Sequence, residues 1–194
     1  MLVISLLAAV ACADDAGNSV RVEMQTSRGR IELELYPEQA TLTVANFLRL
    51  VDGRHLEGGS FYRTVTPEND NGSPVIAVLQ GGIGDAAGPF PPIAHESTAA
   101  TGLRHLDGSI SMARAEVGTA STEFFICIGD QPALDFGATR NKDGQGFAVF
   151  GRVVAGMDVV HAIHRAPATA ATDDAYLRNQ ILDEPVTIIS LRRL

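Results

Sequence analysis

Gly108-Ser-Ile-Ser-Met-Ala-Arg-Ala-Glu-Val-Gly-Thr-Ala-Ser-Thr-Glu-Phe-Phe-Ile-Cys-Ile-Gly129 is the stretch on which the fold turns. It reads as two short strands, residues 109–114 and 123–128, joined by a polar loop. Ile110 and Met112 share a face of the first strand. In the second, Phe124, Ile126 and Ile128 share one face, and Phe125 and Cys127 the other. A strand that is apolar on both faces has two readings. It is a core strand covered on both sides, or one face is core and the other floors a groove.

Other strands extend this pattern outward. Residues 21–26 and 31–35 alternate polar and apolar, with Ser27-Arg28-Gly29-Arg30 as the turn between them, so the domain starts with an antiparallel hairpin. Further strands are predicted at 61–65, 75–79, 147–154 and 186–191. Val44, Phe47, Leu48 and Val51 fall on one helical stripe and predict a helix over 41–51, capped by Thr41 or Thr43 and closed by Gly53. A second helix is predicted over 157–164, with Asp158 suited to its positive end. Thr66-Pro-Glu-Asn-Asp-Asn-Gly-Ser-Pro74 is dense in turn formers and reads as a surface loop. No βαβ alternation appears. The sheet is therefore mostly antiparallel, as a barrel or a sandwich.

Composition bounds the function. The 194 residues suffice for one domain, and 45% apolar with 20% charged is ordinary for a soluble globule. A net charge of −8 argues against nucleic acid as a partner, because phosphate contacts need clustered Lys and Arg. The apolar run at residues 2–11 is too short to span a bilayer. With Ala9-Val10-Ala11 and Ala11-Cys12-Ala13 after it, residues 1–19 read as an export signal and polar tether before a domain at 20–194. Cys12 directly after Ala-Val-Ala also resembles a lipoprotein cleavage site, which makes it a candidate lipidation site. A plain apolar N-terminus is the third reading.

Several chemistries fail on their spacing. Gly82-x-Gly84-x-x-x-Gly88 misses dinucleotide-binding spacing, and no Gly-x-Ser-x-Gly elbow is present. His161 and His164 read as a surface pair rather than metal ligands. What remains is a set of polar side chains on apolar strands: Arg63 in Phe61-Tyr62-Arg63, Gln80 and Arg114. Period 2 puts Phe61 and Arg63 on one face. Taken alone, Arg63 reads as a snorkelling or ion-paired side chain. Taken together, the three polar groups around Phe125 look like a groove with a few placed hydrogen-bonders.

At these residues the chain resembles the cyclophilin family of peptidyl-prolyl isomerases. The resemblance rests on Asn46-Phe47, Phe61-Tyr62-Arg63, Gln80-Gly81-Gly82, residues 108–114, residues 121–127, Leu134-Asp135 and residues 149–154, in register from about residue 19 to the end. The Met-Ala-Arg form is similar to the bacterial exported branch. The resemblance implies a mainly β fold: a closed eight-stranded antiparallel barrel capped by two α-helices. It implies a groove on the outer face for proline-containing polypeptides, a monomer, and no cofactor, metal or nucleic acid. The expected location is the periplasm, with the membrane touched only through a lipid anchor.

By the same resemblance Arg63 is the catalytic residue. Phe125, Leu134 and Phe147 border the proline pocket, Ala113 and Arg114 hold the peptide backbone, and Gln80 and Glu123 help bind it. The chain also departs from the family pattern. Glu123 stands where Gln is usual, and a carboxylate there would be free to pair with Arg63. Phe147 replaces a His, Ala133 a Trp, and Ala77 and Val78 stand near the places of larger pocket residues. The alternative on the same fold is a proline-peptide binding module or holdase with little turnover.

Overall fold

Eight strands succeed one another around a barrel, and the last closes on the first. The structure is a computed structural model that describes residues 18–84 and 88–194. The export signal read at residues 1–19 and the candidate site Cys12 therefore lie outside the described residues, apart from the last two positions of the tether. The strands are β1 (Val20–Thr26), β2 (Gly29–Leu35), β3 (Ser60–Val65), β4 (Val78–Gly82), β5 (Ser109–Met112), β6 (Phe124–Cys127), β7 (Ala148–Ala155) and β8 (Ile181–Arg193). Their order around the barrel is β1-β2-β7-β5-β6-β4-β3-β8, every pair antiparallel. Closure removes every sheet edge, which a fold of short strands otherwise exposes.

Alternation fills the barrel. Val22, Met24, Ile31, Leu33, Leu79, Ile110, Met112, Phe124 and Ile126 point inward into one buried cluster. Helices α1 (Thr41–Asp52) and α3 (Met157–His164) close the two ends. Phe47 of α1 packs edge-on against Phe124 at 5.8 Å and meets Phe150 at 5.1 Å. Such aromatic pairs add about 0.5–1.5 kcal/mol beyond the area they bury. Val160 and Ile163 of α3 plug the other end, beside the start of β2.

The start of α1 departs from expectation. Neither Thr41 nor Thr43 caps it, and Thr41 instead donates to the Pro37 carbonyl. The cap comes from Glu96, whose carboxylate accepts the Leu42 and Thr43 amides at 3.1 and 2.8 Å. A carboxylate satisfies the orphan donors and also meets the positive end of the helix dipole. Gly53 ends the helix, but the left-handed residue is Arg54, at φ 57°.

Two strands start three or more residues away from the predicted position. Residues 75–77 do not pair as strand, because side chains take their amides: Ile76 donates to Asp70 and Ala77 to Gln131. β4 therefore begins at Val78 and runs through Gln80-Gly81-Gly82. β8 begins at Ile181, across Pro185, because Ile181 pairs with Arg63. A one-turn helix, α2 (Thr98–Thr101), was not legible in the pattern. His164 is not a surface residue. It is buried, and its Nε2 bonds the Val65 carbonyl at 2.8 Å.

Candidate active site

Arg63 reaches the outer face of the barrel through a β-bulge. On β4, Phe61 faces Gly81 and Arg63 faces Gln80, so Tyr62 is an extra residue in β3. The bulge breaks period 2. Phe61 stays inside, 5.7 Å from Phe124, and both Tyr62 and Arg63 turn outward. The expectation that Phe61 and Arg63 share a face is thereby overturned.

Outside the barrel a second apolar cluster forms from Val65, Ile76, Val78, Phe125, Cys127 and Leu134, with Ala113, Ala133 and Phe147 against it. It floors a groove of about 480 Å³ that also carries Arg63, Gln80, Arg114 and Glu123. All eight residues singled out from the sequence, Arg63, Gln80, Ala113, Arg114, Glu123, Phe125, Leu134 and Phe147, line this groove. The small pocket residues turn out to be Ile76 and Val78, and Ala77 does not line the groove.

Phe125 is held on two sides. Phe147 meets it edge-on at 5.3 Å, and the His105 ring stacks on it at 5.9 Å with 13° between planes. His105 is itself fixed by Asp135 Oδ1 at 2.8 Å and Ser111 Oγ at 3.0 Å. This support leaves no mark in the sequence pattern, since a lone histidine in a loop has no periodicity. Leu134 sits on a single 3₁₀ turn, Pro132–Leu134.

Arg63 is gripped by amides rather than by a carboxylate. Its Nη1 donates to Gln80 Oε1 at 2.9 Å, and its Nε and Nη2 donate to Gln180 Oε1 at 2.9 and 2.6 Å. Three of its five donors are thus committed, and two are left for an acceptor in the groove. Burial pulls its pKa down from the ordinary arginine value. The Tyr176 ring lies 5.5 Å from the guanidinium carbon.

Gln180 and Tyr176 were missed in the sequence because they follow α3 in an irregular segment. Asparagines of the 66–74 loop staple that segment in place. Asn71 Nδ2 donates to the Tyr176 and Arg178 carbonyls, Asn69 Nδ2 donates to the Asn179 carbonyl, and Gln180 Nε2 donates to the Asn69 carbonyl. A buried ion pair anchors the whole assembly. Arg140 clasps Asp70 with both terminal nitrogens at 2.7 and 2.8 Å and also donates to the Tyr176 hydroxyl.

Glu123 does not pair with Arg63. Its Oε1 accepts the amides of Ile83 and Gly84 at 2.9 and 3.1 Å, and its Oε2 accepts the Tyr62 hydroxyl at 2.5 Å. Gly82, at φ +155°, leaves room for it, since a Cβ there would collide with the carboxylate. Burial pushes the Glu123 carboxyl up from its usual range. Arg114 is likewise engaged within the protein, bidentate to Asp143 at 2.7 and 2.9 Å and bonded to the Gly146 carbonyl.

His105 and His164 carry a pH prediction. Burial lowers both pKa values below the ordinary histidine value. The unfolded chain then binds protons first, near pH 6.5. Stability is full above that pH and falls as the pH drops toward the lowered folded values. Carboxylates such as Asp70 and Asp135 add their own loss only further into acid, and Glu123 acts with the opposite sign. Thermal unfolding at pH 7.5 and 5.5 is expected to show a lower midpoint at 5.5, by about 2–4 °C for each kcal/mol lost. An unchanged midpoint would mean that the two histidines contribute no net pH dependence over this range.

Comparison with known proteins bears on what such a groove does. The sequence model of the family described as "Cyclophilin type peptidyl-prolyl cis-trans isomerase/CLD" matches residues 21–192. A peptidyl-prolyl cis-trans isomerase from Streptomyces antibioticus is 37% identical over 143 residues, covering 73% of this chain and 81% of the relative. Peptidyl-prolyl cis-trans isomerase A of Dickeya dadantii is 33% identical over 190 residues, covering 96% and 90%. The crystal structure of a cyclophilin-type isomerase from Cryptosporidium parvum superposes with a TM-score of 0.69 at 18% identity, covering 91% of this chain and 98% of that one. A second structure of that protein, in the presence of the dipeptide Ala-Pro, gives a TM-score of 0.67 at 19% identity, covering 88% and 96%.

Proposed function

The chain belongs to the cyclophilin-type peptidyl-prolyl cis-trans isomerase family and accelerates rotation about Xaa-Pro bonds in polypeptides, and from that premise we propose how its groove does so. The observation that carries the proposal is Arg63, a half-buried guanidinium with no carboxylate partner among the described residues, fixed beside an apolar pocket.

Amide resonance resists twisting, with a barrier of about 18–20 kcal/mol. As the bond twists, the prolyl nitrogen pyramidalises and gains a lone pair. One of the two uncommitted Arg63 donors meets that lone pair, and this contact is stronger in the twisted state than in the planar one. The proline ring sits among Phe125, Leu134, Phe147, Ile76 and Val78. Ala113 and Arg114 form the side along which the peptide lies, and the acyl half rotates while the ring stays fixed. No nucleophile, base, metal or cofactor takes part in this step.

Arg63 supplies only part of the effect. An acceleration of about 10⁵ needs about 7 kcal/mol, and one charged hydrogen bond is worth about 1.5–3 kcal/mol. Fixing the ring and flanking backbone supplies the remainder. The direct test is NMR exchange on an Ala-Pro peptide with the purified protein. Exchange faster than in buffer is the expected outcome, and binding without faster exchange would leave a binding module.

The proposed setting is the bacterial envelope, with monomeric protein exported by its apolar N-terminus and acting on flexible, unfolded segments. The apolar run at residues 2–11 and the small residues around Cys12 support this reading. Mass spectrometry of the native N-terminus tests it. Cleavage near Ala11 to Ala13, or a diacylglyceryl adduct on Cys12, is expected. An intact Met1 would end the export proposal.

A further inference from the structure

We propose that Glu123 is a positioning residue that sets the direction of a hydrogen-bond chain ending on Arg63, an inference that rests on the reading of Arg63 given above. Four side chains make up the chain. Backbone amides only donate, so the site of Glu123 Oε1, facing the Ile83 and Gly84 amides at 2.9 and 3.1 Å, admits an acceptor alone. An ionised carboxylate has no proton to give, so the Tyr62 hydroxyl, 2.5 Å from Oε2, donates to it. The Tyr62 oxygen then offers only lone pairs, and Gln80 must face it with its NH₂, at 2.8 Å. The other end of that amide is therefore its carbonyl oxygen, which receives Arg63 Nη1 at 2.9 Å. Each orientation dictates the next.

A glutamine at position 123 has the same shape and reverses the chain. Its oxygen is forced onto the Ile83 and Gly84 amides, so its NH₂ falls against Tyr62. The phenol accepts from it and turns its own proton toward Gln80. Gln80 must rotate to accept, which points its NH₂ at Arg63, donor against donor. Arg63 then keeps Gln180 and loses Gln80, so its guanidinium is held on one side only. The bulge makes this coupling reachable, because Tyr62 and Arg63 both face outward. A carboxylate in the groove is thus not a counterion of Arg63.

The test compares wild type with Glu123→Gln, Tyr62→Phe and their double variant in the full chain. The readouts are kcat and KM on an Ala-Pro peptide by NMR exchange, and the Arg63 Nε–H resonance in ¹H–¹⁵N spectra. Each single variant is expected to lower kcat by about three- to tenfold, the worth of one ordinary hydrogen bond. KM stays within about twofold, because the lost restraint matters most in the twisted state. The Arg63 resonance moves in both, and the double variant is no slower than the slower single, because both act through Gln80. Wild-type kcat with an unmoved Arg63 resonance in either folded variant overturns the proposal, as do additive losses in the double. Tyr62→Phe removes a single oxygen and decides alone if Glu123→Gln fails to fold. Arg63→Ala, assayed beside them, separates the two failures: if it keeps the wild-type rate, the reading of Arg63 falls rather than the chain behind it.

Discussion

Arg63→Ala is expected to slow isomerisation of an Ala-Pro peptide by about ten- to 150-fold and to leave the barrel folded. The range is that of one charged hydrogen bond, about 1.5–3 kcal/mol, converted to a rate. It falls well short of the full acceleration because the apolar pocket keeps holding the ring. Folding survives because Arg63 lies on the outer face, where water can replace the guanidinium against Gln80 and Gln180. Arg63→Lys is expected to recover little. An ammonium carries the charge, but it cannot reproduce the planar fork that spans two amide oxygens and still presents donors to the groove. The loss should appear in kcat more than in KM, since the contact forms as the bond twists. NMR exchange rates with matched circular dichroism spectra check it. A variant with wild-type rate would remove Arg63 from the mechanism.

Asp70→Ala is expected to cost the most stability of any single change near the groove. Arg140 and Asp70 are both buried, and removing the carboxylate leaves a guanidinium with only the Pro74 carbonyl and Tyr176 hydroxyl as partners. Breaking one side of such a pair costs about 3–5 kcal/mol. That is a drop of about 6–20 °C in thermal midpoint for a domain of this size. Asp70 also accepts the amides of Gly72 and Ile76, so the 66–74 loop loosens. Asn69 and Asn71 then hold Tyr176 and Gln180 less firmly, and Arg63 loses definition. Activity should therefore fall even below the melting transition. The double change Asp70→Leu with Arg140→Met should regain part of the stability, because no charge is left stranded. Thermal unfolding of the three proteins checks this. A single variant within about 2 °C of wild type would mean that the pair carries no such weight.

What the sequence disclosed follows the reach of periodicity. The inward Phe124 and Ile126 and outward Phe125 and Cys127 could be told apart because β6 is regular. The eight strands and the two end helices were visible for the same reason. Period 2 failed at Tyr62, where an inserted residue leaves no mark in composition. It failed again at residues 75–77, whose amides are claimed by side chains distant in sequence. Arg63, Gln80 and Arg114 were legible as polar groups around Phe125 on an apolar strand, Ala113, Glu123, Leu134 and Phe147 came by resemblance, and the couplings among them came from neither. Glu123 was visible as an anomaly, yet its partner is Tyr62 and not Arg63. Gln180, Tyr176 and His105 sit in irregular chain, where only three-dimensional contact reveals a role. The cap on α1 stayed hidden too, since Glu96 lies 53 residues from the Thr43 amide it accepts.

The seam of the barrel joins β1 and β8, its first and last strands in chain order. Val22 pairs with Arg193, the Leu194 amide reaches the Arg21 carbonyl at 3.0 Å, and Arg192 bonds Glu23 across 169 residues. The β1–β2 hairpin can form early in synthesis, but the far edge of β1 must wait for β8. Contacts this remote in sequence form slowly. A chain halted before residue 181 would carry an open strand edge and an unclosed apolar interior, both prone to pairing with other chains. Closure of the barrel therefore waits until β8 has been made and is free to pair with β1, and until then the chain is itself the kind of unfinished polypeptide that needs protection.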